Sequence, residues 1–134
     1  MSWWDIVSSR LKEGDVLFTP GRGKEGHRRK PFEIISITSI DIVILSSKSS
    51  IQSERKCFDT IEAEYLRNPM SAFRVAALHD RPLPDSADKL IREATGNDLA
   101  RGNYVCSILE RCGLVRYEIQ GNKKFIVLNS EESI

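Results

Sequence analysis

The apolar residues of this chain change their period part-way along, and that change bounds the fold. Before Ser46 they alternate with polar residues or run in short β-branched blocks, as in residues 32–39 and 40–46. After Pro84 they recur at helical intervals, the spacing that gives a helix one buried face. A chain that switches in this way is expected to be α+β, strands first and helices later. The specific expectation is a small N-terminal β-barrel or bent sheet with flanking helices, followed by a helix–turn–helix–hairpin unit. At 134 residues there is room for one ordinary domain or two small ones. Pro82 and Pro84 interrupt the pattern, so a boundary is expected at residues 80–84, dividing the chain into 1–80 and 81–134.

In the first half, Trp4, Val7 and Leu11 share one helical face, and Gly14 ends that helix. Residues 15–19, 32–39 and 40–46 read as strands, with 50–53 a candidate fourth. Phe58, Ile61, Ala63, Tyr65 and Leu66 are distributed as in a helix lying against a sheet. Further on, Ala72, Val75 and Ala76 favour a helix over residues 71–78, with a strand as the alternative.

The second half carries clearer punctuation. Pro84-Asp85-Ser86 opens a helix, with Asp85 or Ser86 capping and Ala87, Leu90, Ile91 and Ala94 as its buried stripe. Thr95-Gly96-Asn97 is a turn, and Asn97 or Asp98 can cap the next helix. Val105, Ile108, Leu109 and Cys112 form the next stripe, which Gly113 stops. Ile108 and Leu109 are expected in the core. Val115, Tyr117 and Ile119 then alternate with Arg116 and Glu118, and Gly121-Asn122 turns the chain into a second strand over 124–128. Asn122, Lys123 and Lys124 mark the tip. The polar side of the preceding helix shows Asn103, Ser107 and Arg111, with Arg101 and Tyr104 near its start.

This order resembles a winged helix-turn-helix, over residues 84–128 and by pattern alone. The resemblance implies that residues 104–111 enter a major groove and that the basic hairpin tip contacts phosphate or the minor groove. Asn103 and Arg111 are the types that pair with base edges, and Ser107 and Tyr104 the types that reach phosphate. The competing reading is an amphipathic helix with an ordinary polar face, and a hairpin whose lysines keep an edge strand from pairing. Glu110 lies among the outward residues. A formal charge of +1 and a pI near 7.7 require any basic footprint to be local.

Such a footprint exists in residues 20–31. Arg22, Lys24, Arg28, Arg29 and Lys30 are interspersed there with Gly21, Gly23 and Gly26. Glycine lets backbone approach phosphate, and the cations release counterions on contact. The segment is not a P-loop, which needs a following Gly-Lys-Ser/Thr and a helix. A solvated loop is the alternative.

Catalysis is not expected. His27 and His79 lack metal-ligand spacing, so neither a metal nor a cofactor is expected. Glu33 and Asp41 with Lys48 suggest a nuclease-type carboxylate pair only weakly, since Asp41 also suits a turn. Three cysteines, Cys57, Cys106 and Cys112, without a C-x-x-C pair, argue against a disulfide framework or zinc site. Cys112 reads as core and Cys106 as partly exposed. No membrane span or signal peptide is evident, and a cytoplasmic location is expected. The function expected is that of a non-catalytic nucleic-acid-binding protein, a regulator or accessory subunit of a DNA-processing or defence system, with duplex DNA as the partner. The alternative is a protein-interaction or assembly module with a protein partner.

Overall fold

The computed structural model describes residues 1–21, 29–76 and 80–129. Along the chain its elements are α1 (Trp3–Arg10), β1 (Val16–Phe18), β2 (Pro31–Ile37), β3 (Asp41–Ser46) and β4 (Ser49–Glu54). They continue as α2 (Arg55–Arg67), β5 (Ala72–Arg74), α3 (Ala87–Thr95), α4 (Gly102–Arg111), β6 (Val115–Gln120) and β7 (Lys123–Leu128). Among the described residues the architecture is α+β. One antiparallel sheet has the order β1-β2-β3-β4, and a second has the order β5-β7-β6. β1 and β4 are both edges, so the first sheet stays open and does not close into a barrel.

The first sheet forms because alternate side chains on its strands point inward. Leu17, Phe32, Ile34, Ile42 and Ile44 are buried, while Val16, Phe18 and Leu45 face outward. Burying one such side chain stabilises by about 1.5–3 kcal/mol, so the alternation selects the inward face. Its register is set accordingly, since a one-residue slip would turn the apolar set outward. Ring contacts then join the helices. Trp4 packs on Phe58 with centroids 5.4 Å apart, and Trp3 on Tyr65 at 5.8 Å.

Among the described residues a single cluster of buried apolar side chains links both halves of the chain. Val7, Ile34, Ile61, Ile91, Ile108, Leu109 and Ile126 all belong to it and are fully buried. It therefore spans both sides of the boundary expected at residues 80–84. The same crossing is made by β5, whose Phe73 pairs with Ile126 of β7. Residues 72–74 are a strand, not the helix that Ala72, Val75 and Ala76 favour. The edge of β7 offers ladder hydrogen bonds that local propensity does not register, and Val75 N–H adds one to the Lys124 carbonyl at 3.1 Å. Tyr65 ties α2 to this sheet by donating its hydroxyl to the Ile126 carbonyl at 2.9 Å.

The two C-terminal helices begin differently. α3 has its own cap, as Ser86 Oγ accepts from Lys89 N–H at 3.1 Å. α4 has none on its N-cap residue, Arg101. Asp88 of α3 supplies it instead. Its Oδ1 accepts from the Arg101 and Gly102 N–H groups, each at 3.2 Å. Its Oδ2 accepts from Arg92 Nε at 3.0 Å. A buried carboxylate thus satisfies the unpaired donors of a helix N-terminus. The approach is close enough to demand glycine at position 102. A Cβ there would lie 2.7 Å from the Asp88 Cβ.

Candidate functional site

The middle of α4 is enclosed. Val105, Cys106, Ser107, Ile108 and Leu109 are consecutive and all buried. At 3.6 residues per turn, five consecutive positions go right round a helix. Cys106, expected to be partly exposed, is at 0% because the second face of α4 is also packed. Ser107 donates to the Phe18 carbonyl of β1 at 2.6 Å. Tyr104 packs edge-on against Phe32 at 5.2 Å and donates to Ser46 Oγ at 3.2 Å. These side chains are spent on the N-terminal sheet. Residues 104–111 therefore do not form a free face able to enter a major groove.

Arg101 is still further from solvent. It is 1% exposed, and its guanidinium reaches across to β4 and α3. It donates to the Gln52 carbonyl at 2.9 Å and to Thr95 Oγ1 at 3.0 Å, and pairs with Glu54. It locks together elements from both halves of the chain. Burial is the largest influence and raises the Glu54 carboxyl, but the Arg101 hydrogen bond and charge, with a backbone hydrogen bond and Lys56, together outweigh it and hold Glu54 below the usual range. Asn103 is half-buried beside it in sequence.

Where α4 leaves the core, a cleft opens between it and β1. Its volume is about 270 Å³. Val16, Leu17 and Phe18 form one wall, Ser107, Glu110 and Arg111 another, and Arg29 completes it. Arg29, Arg111 and Glu110 are exposed, and none makes an ion pair or side-chain hydrogen bond among the described residues. The position of Arg29 follows from the base of its loop. Thr19 N–H donates to the Lys30 carbonyl at 2.9 Å, and Lys30 N–H donates back to Thr19 Oγ1 at 2.8 Å. Lys30 itself is exposed. Arg22, Lys24 and Arg28, with His27 and His79, lie outside the described residues.

Lys124 borders the same region but is not a free tip residue. It is 7% exposed, donates to the Pro20 carbonyl at 2.6 Å, and lies over the Tyr117 ring at 5.2 Å from the centroid. Burial holds its ammonium below the ordinary lysine range. The charge of Arg29 adds to this shift and Glu110 opposes it. Burial likewise raises the Tyr117 hydroxyl, with Glu110 adding and Arg29 opposing. Arg29 and Glu110 therefore share one electrostatic neighbourhood with Lys124 and Tyr117. Asn122 and Lys123 are exposed at the hairpin turn, where Gln120 pairs with Lys123.

The structure thus gathers Arg29, Ser107 and Arg111 around one cleft with Lys124 beside it, and removes Arg101 and Tyr104 from it. Sequence reasoning missed Phe18 and Val16. The signal was three apolar residues in a row at 16–18, more than one inward face can take from so short a strand. The carboxylate pair comes apart. Glu33 pairs with Leu45, four residues along β3 from Asp41, a separation of about 13 Å. Asp41 instead accepts from Thr38 Oγ1 at 2.7 Å and Gln52 Nε2 at 2.6 Å, bracing a turn.

No family model, curated protein or solved structure matches the chain.

Proposed function

We propose that this chain is a non-catalytic nucleic-acid-binding protein, a regulator or accessory subunit of a DNA-processing or defence system, that grips phosphate through the cleft between β1 and α4. The observation that carries this reading is the pair of exposed arginines, Arg29 and Arg111. They line one recess and have no carboxylate partner among the described residues. Exposed cations without internal partners leave their charge available to an external anion. Lys30, exposed and next to Arg29 in the chain, adds to the same charge. This reading keeps a winged-helix-like unit for the C-terminal part, where the element order is α3, α4, β6, β7. Because the middle of α4 is buried, this reading puts contact at the cleft and hairpin rather than at a helix in a groove. Three buried, unpaired thiols fit a reducing, cytoplasmic setting.

A second reading, a protein-assembly module, is favoured by the outward apolar residues of the first sheet. Val16, Phe18, Ile35 and Leu45 are each more than a third exposed. The two readings separate in one experiment. Labelled single-stranded DNA, duplex DNA and RNA are titrated at several salt concentrations with wild type and with Arg29→Ala/Arg111→Ala. Nucleic-acid binding predicts tightest association at low salt. The double variant should flatten the log–log salt slope by about 0.7–0.9 for each phosphate that an arginine no longer neutralises. No association with any of the three at low salt would overturn the reading and favour assembly, which sedimentation of the protein alone would then show.

A further inference from the structure

We propose that the cleft takes a single-stranded segment, with one base stacked on Phe18 and its flanking phosphates on Arg29 and Arg111. This rests on the nucleic-acid function proposed for the cleft and names the strand class it serves. Phe18 is 54% exposed, and its neighbour Val16 is 52% exposed on the same face of an edge strand. An aromatic ring left in water retains the apolar surface that an external partner can bury. The ring is presented on a fixed backbone. Phe18 is paired to Pro31, and its carbonyl accepts from Ser107. The same cleft is lined by two arginines, Arg29 and Arg111, whose guanidiniums have no partner among the described residues. An aromatic face flanked by cations is the combination that holds bases by their π-faces and the strand by its phosphates.

The strand class follows from shape. Duplex DNA hides its base faces in the stack and is read by an element that projects into a groove. Here the wall of the site is concave, and the helix that would project is buried around its middle. A recess of about 270 Å³ is on the scale of one unstacked base. Glu110 in the same wall repels phosphate at its own end. This places the base rather than the backbone near the carboxylate, which can accept from a ring or exocyclic N–H of a base.

The test uses the full chain and three labelled probes: oligo-deoxythymidine, an abasic strand with the same number of phosphates, and a duplex. Wild type should bind the thymidine strand about ten-fold or more tighter than the abasic one, the scale of one stacked base. It should also bind it more tightly than the duplex. Phe18→Ala should lose the preference for bases while keeping salt-dependent binding to both single strands. Phe18→Trp should restore the preference, with its indole emission quenched on binding. Equal wild-type affinity for the thymidine and abasic strands, or tighter binding to the duplex, would overturn the inference. So would an unchanged preference in Phe18→Ala. In each of these cases phosphate binding itself would stand, whereas a wild type that binds no probe at low salt would remove the function beneath it.

Discussion

Ser107 donates its hydroxyl to the Phe18 carbonyl oxygen at 2.6 Å, joining α4 to the edge strand β1 across 89 positions of sequence. A residue on the nominally outer side of a helix thereby becomes a fastening between the two sheets' surroundings. Ser107→Ala should lower the unfolding free energy by about 1 kcal/mol, the net value of one neutral hydrogen bond. Urea unfolding reads this as a lower midpoint with an unchanged slope. An unchanged midpoint would show that the bond adds nothing to stability.

Two arginines that look alike in sequence should behave oppositely. Arg101→Ala removes a buried guanidinium from the Gln52 carbonyl, Thr95 and Glu54. Stability should fall by about 3 kcal/mol, the low end for breaking a buried pair because Glu54 reaches solvent. Arg29→Ala removes an exposed side chain and should change stability by less than about 0.5 kcal/mol. Equal effects on the urea midpoint would contradict the division between a structural and a ligand-facing arginine.

Gly102→Ala offers a test by sign. In an exposed helix the change would stabilise by about 1 kcal/mol. Here the new Cβ would meet Asp88 at 2.7 Å and force α3 from α4. The expected outcome is destabilisation by about 1–3 kcal/mol. Thermal unfolding distinguishes the two, since the melting temperature moves down in one case and up in the other.

The thiols predict an alkaline limit to stability. Burial pushes the Cys57 and Cys112 thiols up to about 11 from an ordinary 9.0, and Cys106 is raised as well. Between these values the unfolded chain has released protons that the folded chain still binds. Stability is therefore intact below pH 9.0 and falls as pH rises toward about 11. The fall is at most about 1.4 kcal/mol per pH unit for each thiol. Urea titrations in reducing buffer across this window should show the decline, and Cys57→Ala should make it shallower. A pH-independent midpoint would mean that the thiols are not buried as described.

What local pattern alone determined is considerable. The alternation of Leu17, Phe32, Ile34, Ile42 and Ile44 set the inward face of the first sheet. Ser86, one of the two capping candidates with Asp85, caps α3, and Gly113, at φ 78°, ends the helical stripe. Gly121-Asn122 turned the hairpin between Gln120 and Lys123. Each of these depends on near neighbours, whose sterics and hydrogen bonds are encoded within a few residues. The fate of the polar residues was different. Arg101, Tyr104, Ser107 and Lys124 carry no local mark that separates a group facing solvent from one facing a carbonyl brought in by another element. Gln52, Ser46, Phe18 and Pro20 supply those partners from 49, 58, 89 and 104 positions away. The strand β5 was decided in the same way, by the unpaired edge of β7. Tertiary structure alone made these assignments, because a hydrogen bond or a desolvated charge has its energy set by the partner that folding brings to it.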